Sequence, residues 1–109
     1  MHELGITRNV VGIVNEHAAG RRVTRVRLSI GELSAISDQA IAFCFDLCCQ
    51  GTLLEGAKLE VFTIPGRLKC RLCGAETLSA TLYGQCACGS FEMQCIGGEE
   101  LLISEIELE

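Results

Sequence analysis

The stretch Val23-Thr24-Arg25-Val26-Arg27-Leu28-Ser29-Ile30 decides how the rest of the chain is read. Val26, Leu28 and Ile30 fall on one side of it, and Arg25, Arg27 and Ser29 on the other. That period of two marks a strand with one face on a core and the other in water. Upstream the period changes. Over residues 4–19, Ile6, Val10, Ile13, Val14 and His17 recur at i, i+4, i+7, i+8 and i+11, one face of a helix, with a partly buried His17 at its end and Gly20 to stop it. Downstream, Gly31-Glu32-Leu33-Ser34 breaks the strand. Ser37 then caps a second helix, with Asp38 at the positive end of its dipole. That helix is expected to bury Ile36, Ala40, Ile41, Cys44, Leu47 and Cys48, and Gly51 ends it. Lys58 to Ile64 reads as a second strand before the only proline, Pro65. Alternation returns between Glu100 and Leu108, with Leu102, Ile106 and Leu108 on one face.

Between these strands the composition shifts. Residues 66–95 hold five of the eight cysteines and little periodic apolar pattern, so this stretch cannot hold together by packing alone. The order helix, strand, helix, strand, cysteine lobe, strand predicts an α+β fold: two helices on a small three-stranded sheet, with an inserted zinc-ribbon-like lobe. Residues 1–65 plus 96–109 form the first domain in this reading, and residues 66–95 the lobe.

Charge narrows the partners. Residues 1–65 carry six basic and seven acidic side chains, residues 66–95 three and two, and residues 96–109 none and five, which sums to the net charge of −5. Arg21, Arg22, Arg25 and Arg27 are the only clustered cations, and they alternate with apolar residues as on a wet strand face; no nucleic-acid partner is expected. No run approaches the roughly 18 apolar residues of a membrane span, so no membrane is expected either. The acidic stretch Glu99 to Glu109 is open to two readings, a surface for a basic partner or an ordinary solvated edge strand. Met1-His2-Glu3-Leu4 lacks the basic start and apolar core of an export signal. The cysteines are therefore expected in a reducing cytoplasm, where metal binding or redox chemistry outranks disulfides.

Cys70-Arg71-Leu72-Cys73 and Cys86-Ala87-Cys88 are two close-set pairs a hairpin's length apart, followed by Gly74 and Gly89. Such turns each supply two thiolates to a tetrahedral ion, and Zn(II), inert to redox, suits four thiolates as a structural staple. The second pair is C-x-C, one residue short of the usual spacing, so Cys95 competes with Cys86 for the fourth place, and Cys86 is the expected ligand. A thioredoxin-like redox CxxC would open a helix, which Gly74 does not favour. Cys44, Cys48 and Cys49 sit among apolar neighbours and read as core residues. At the other end, the Met1 amine, the His2 amide nitrogen and the His2 imidazole can close adjacent five- and six-membered chelate rings. Deprotonated amide nitrogens require Ni(II) or Cu(II), not zinc.

Met1-His2-Glu3-Leu4, Ile30-Gly31-Glu32-Leu33-Ser34, Gly51-Thr52, Glu55-Gly56-Ala57, Cys70-x-x-Cys73, Cys88-Gly89-Ser90 and Gly98-Glu99-Glu100-Leu101 occur in an order that resembles the HypA/HybF nickel-insertion family of hydrogenase maturation, over essentially the whole chain. The resemblance implies a nickel metallochaperone, not an enzyme. It implies Ni(II) as transient cargo at Met1, His2 and Glu3, and Zn(II) as a structural ion at Cys70, Cys73, Cys86 and Cys88. It implies two partners, a nickel-binding GTPase accessory protein and the hydrogenase large subunit, and leaves room for a homodimer. The chain has no GxxxxGK[ST] phosphate loop, so nucleotide hydrolysis would belong to the partner. Two departures stand out. The family's second zinc pair is normally C-P-x-C, whereas here Gln85 stands at the first cysteine and Cys86 at the proline. Ser37 replaces an acidic residue usual near the second helix, with Asp38 one place later.

Overall fold

The computed structural model describes residues 2–109, with His2 described by its backbone alone. Helix α1 spans His2–Ala18, strand β1 Val23–Gly31, helix α2 Asp38–Cys49 and strand β2 Lys58–Ile64; the short strands β3 (Arg67–Cys70), β4 (Glu76–Leu78) and β5 (Met93–Gly97) follow, and β6 spans Leu101–Leu108. The strands form two three-stranded sheets, ordered β2-β1-β6 and β4-β3-β5. This is the α+β class with a cysteine-bearing lobe that the sequence predicts. No helix of the described residues is long and apolar enough to cross a membrane.

The chain divides into two compact units: Met1–Ser29, Ile36–Phe62 and Leu102–Glu109 in one, and Ile30–Ala35 and Thr63–Leu101 in the other. In the first, Val23, Val26 and Leu28 of β1 are buried and its arginines are not, as the alternation requires. The helix faces differ from the sequence reading. The stripe of α1 runs through Thr7, Val10, Val11, Val14 and Ala18, while Ile13 is 54% exposed and His17 lies on the surface. Thr7 can be buried because its hydroxyl donates to the Glu3 carbonyl at 2.6 Å. A count of apolar residues alone passes over a polar side chain satisfied within its own helix. On α2 the buried stripe is Ile41, Phe45 and Cys49; Leu47 and Phe43 face outward, and Ile36, Ala40, Cys44 and Cys48 are half-buried. The apolar arc of α2 is wider than the core beneath it. Ser37 caps α2 as expected, its hydroxyl accepting from the Ala40 N–H at 3.2 Å.

The second unit buries little apolar surface. Its fully buried apolar side chains are Ile30, Leu33, Leu68, Cys70 and Cys86. Backbone proximity does part of the work. A Cβ on Gly31 would lie 2.1 Å from the Gly98 carbonyl oxygen, and one on Gly98 would lie 2.5 Å from the Gly66 Cα. Three segments can approach this closely only because none has a side chain there. The contact is sealed by Leu33 N–H to Gly98 O at 2.7 Å, Glu32 N–H to Ile64 O at 2.8 Å and Gly66 N–H to the Glu32 carboxylate at 3.1 Å. These bonds give a structural role to the Gly31-Glu32 and Gly98-Glu99-Glu100 motifs.

Gly31→Ala should therefore lower stability by about 2 kcal/mol or more, since backbone rather than a flexible side chain must move. Gly12→Ala, on an open helix position with nothing within 4 Å, should raise it by about 0.5–1 kcal/mol. Urea unfolding of the two variants checks both signs.

Candidate metal centre

The cysteine turns are built by the second sheet. β3 pairs antiparallel with β4, Lys69 opposite Glu76, so residues 71–75 form the connecting tip. β3 also pairs antiparallel with β5, Cys70 opposite Met93. At the first turn Gly74 N–H donates to Cys70 O at 3.0 Å and Cys70 N–H to Ala75 O at 2.9 Å. At the second, Gly89 N–H donates to Cys86 O and Cys86 N–H to Ser90 O, both at 2.8 Å. Gly74 and Gly89 have φ of 78° and 95°, the left-handed conformation that lets each chain turn back on its cysteines. The shorter C-x-C fits because Cys86 and Cys88 share one tight turn closed by the Gly89 N–H.

Together the turns bring one sulfur each from Cys70, Cys73, Cys86 and Cys88 within 4.8 Å of one another. Across the turns, Cys70 Sγ lies 3.7 Å from Cys88 Sγ and Cys73 Sγ lies 3.4 Å from Cys86 Sγ. A tetrahedron with zinc–sulfur bonds of about 2.3 Å has sulfur–sulfur edges of about 3.8 Å, so the donor set fits a tetrathiolate ion of that size. All eight cysteines are free thiols. Cys70 and Cys86 are buried while Cys73 and Cys88 are exposed, so each turn offers one inner and one outer sulfur.

The electrostatics point the same way. The Cys73 N–H directed at its sulfur holds the Cys70 thiol down to about 6, ahead of an opposing effect of burial. Cys73 moves upward: the Ala75 N–H lowers it, but the nearby Cys86 and Cys70 sulfurs raise it more. Cys70 thus ionises more readily than an ordinary thiol and Cys73 less so, because the hydrogen bonds at the two sulfurs act, on balance, in opposite directions.

Cys95 is not in this group. It lies on β5 opposite Leu68, two places along from the Cys70–Met93 pair, and its thiol donates to Gly97 O at 3.4 Å. The ladder fixes that offset, and a strand signal over residues 93–97 could have shown it. Burial pushes the Cys95 thiol upward. Cys49 is buried and its thiol is pushed up to about 12, first by burial and then by Asp46 and Cys48. It packs as a small hydrophobe; Cys44 and Cys48 are half-buried beside it.

At the amino terminus Met1 and the His2 side chain lie outside the described residues. Helix α1 begins at His2, so the backbone of His2 and Glu3 forms its first turn. A Glu3 carboxylate oxygen accepts from Ser37 N–H at 3.2 Å, bringing the start of α2, with Asp38 one residue on, against the start of α1.

Comparison with known proteins adds three findings. A sequence profile described as hydrogenase/urease nickel incorporation, metallochaperone, HypA matches residues 1–108. The hydrogenase maturation factor HypA of Trichormus variabilis is 61% identical over 109 residues, covering 100% of this chain and 96% of the relative. That of a Geobacter species is 47% identical over 110 residues, covering both chains fully. Two solved structures share the fold. The solution structure of the Ni metallochaperone HypA from Helicobacter pylori has a TM-score of 0.70 at 24% identity, covering 97% of this chain and 96% of that one. A second solution structure of a HypA protein has a TM-score of 0.72 at 25% identity, covering 100% and 97%. The chain belongs to the HypA family of hydrogenase maturation metallochaperones.

Proposed function

We propose that this chain carries Ni(II) at its amino terminus and delivers it for maturation of nickel–iron hydrogenase, with a structural Zn(II) held by Cys70, Cys73, Cys86 and Cys88. The match of a nickel-incorporation family across residues 1–108 is the observation that carries the reading. Residues 1–65 plus 96–109 hold the cargo and residues 66–95 the zinc. The chain acts as a carrier and not a catalyst. It works in the cytoplasm with a GTPase that supplies nucleotide hydrolysis, and it hands the ion on toward the hydrogenase large subunit.

The chemistry separates the two ions. Four thiolates hold zinc tightly and contribute its binding energy to folding. The terminal site offers the Met1 amine, the His2 imidazole and the main-chain nitrogens of His2 and Glu3. Amide nitrogens in the first turn of a helix have no acceptor within the helix ladder, so their deprotonation costs α1 none of its internal bonds. Losing those protons requires a strongly polarising ion with a square-planar preference, which selects nickel or copper over zinc.

Three outcomes test this. In calorimetric titration of untagged protein, His2→Ala and a short extension ahead of Met1 should each abolish nickel binding while zinc content and circular dichroism stay unchanged. Unchanged nickel affinity in both variants sinks the terminal site. Because the amine loses a proton of pKa about 7.7–8.0 on binding, nickel affinity should rise with pH between 6.5 and 8.0 by roughly tenfold per unit for each proton released. A flat pH profile removes the amine from the ligand set. Elemental analysis should find one zinc per chain in Cys95→Ser and none in Cys73→Ser or Cys88→Ser; loss of zinc from Cys95→Ser overturns the assignment of Cys86.

A further inference from the structure

The whole net charge of the protein lies in its last eleven residues, on and around the strand β6. Residues 1–98 contain nine basic and nine acidic side chains, whereas residues 99–109 contain five glutamates and no base. Three of the five, Glu105, Glu107 and Glu109, recur at every second position along β6 and just beyond it. Glu105 meets Arg27 at 3.3 Å. Glu107 is offered only the Thr24 hydroxyl, at 3.4 Å. Arg21 donates to the Glu109 main-chain oxygen at 2.8 Å, but among the described residues no cationic side chain pairs with the side-chain carboxylate of Glu107 or Glu109.

β6 is also an edge. In the order β2-β1-β6 it bonds to β1 on one side only, leaving a row of backbone donors and acceptors on the other. Beside it runs a groove of about 310 Å³ between α1 and β6, floored by Ile13, Val14, Ile103 and Ile106 with His17 and Glu105 at its rim. Ile13 belongs to the apolar series of α1 yet is 54% exposed, with no cover among the described residues.

We propose that β6 and this groove are the docking site for an extended, basic, amphipathic segment of a partner protein, which adds a fourth strand to the sheet. Each observation restricts the occupant. Unpaired backbone recruits a strand and supplies register-independent affinity, while the adjacent groove takes alternate apolar side chains. The glutamates select a cationic partner and speed its approach. They exclude a second copy paired edge to edge, since that would set one row of glutamates against another. They repel nucleic acid and anionic lipid for the same reason. This surface shares no residue with the amino-terminal nickel residues or the cysteines, so the proposal stands or falls apart from the nickel reading.

The test uses the zinc-loaded full chain and a capped ten-residue peptide of alternating lysine and valine, followed by fluorescence anisotropy and by amide chemical shifts in NMR. Binding should perturb β6 and the Ile13 turn of α1. The double variant Glu107→Lys/Glu109→Lys should weaken it at least tenfold, and Ile13→Asp, at an already exposed position, by a similar factor. Nickel and zinc stoichiometry should not change in either. A control peptide of the same composition with two central residues replaced by proline cannot extend a sheet and should bind at least tenfold more weakly. Equal binding of the proline peptide would reduce the effect to charge attraction and overturn the docking site. Shifts confined to another surface, undiminished binding by both variants, or no binding by the unaltered chain would overturn it as well.

Discussion

Four sulfurs gathered within 4.8 Å set the terms for the cysteine-bearing unit, because four thiolates that close together repel one another without a cation and the unit has little else to hold it. Its buried apolar set amounts to three aliphatic side chains and two of those cysteines. Three short strands with so thin a core are marginal by themselves. A dication at the sulfurs changes both accounts at once. It would compensate the charge of the gathered thiolates, and it would tie the tip after β3 to the turn before β5. The Cys73 N–H points at the Cys70 sulfur and favours its thiolate, the form a metal ion takes.

The same unit depends on a second constraint, the meeting of Gly31, Gly66 and Gly98. Segments far apart in sequence touch there backbone to backbone, with no room for a methyl group. Glu32 and Glu100 complete the contact by accepting from the Gly66 and Gly98 N–H groups at 3.1 and 2.6 Å. The backbone N–H groups of Glu100 itself and of Gly98 hold the Glu100 carboxyl below the usual carboxylate range, so it stays ionised where it is needed as an acceptor. Motifs that look like turn punctuation in the sequence are thus a packing surface made of main chain.

How much of this could be read beforehand follows from which forces leave a local trace. β1 was legible because a half-buried strand must alternate, and its arginines mark the wet face. Ser37 was legible because capping is a contact over three residues. The face of α1 was misjudged by part of a turn because Thr7 satisfies its own hydroxyl and enters the core. The arc of α2 was misjudged because Phe43 and Leu47 are apolar without being covered. β3, β4 and β5 escaped because strands of four, three and five residues are held by pairing and by their cysteine turns, with no face long enough to show a period. The four-sulfur group was visible in the spacing, but the choice between Cys86 and Cys95 was not. It depends on a strand register, which places Cys95 opposite Leu68 and away from the other sulfurs.

The proposed carriage of nickel on nitrogen ligands would face a problem inside this sequence, since eight cysteines are eight softer competitors for the cargo. The structure reduces that competition by protonation and geometry. Only the thiolate ligates well, and forming it requires solvent or a nearby positive charge. Burial keeps Cys49 protonated at any physiological pH, with a thiol near 12, and pushes Cys95 in the same direction. Cys70, Cys73, Cys86 and Cys88 are drawn into one closed group whose geometry suits a single tetrahedral ion, so an ion held there has no open position at which nickel could join. Cys44 and Cys48 are half-exposed, as Cys95 is, and two thiols one helical turn apart on a helix offer an incoming ion at most two ligands. At the proposed amino-terminal site, nickel selectivity would rest on withdrawing thiolates elsewhere as much as on the nitrogens offered to the ion.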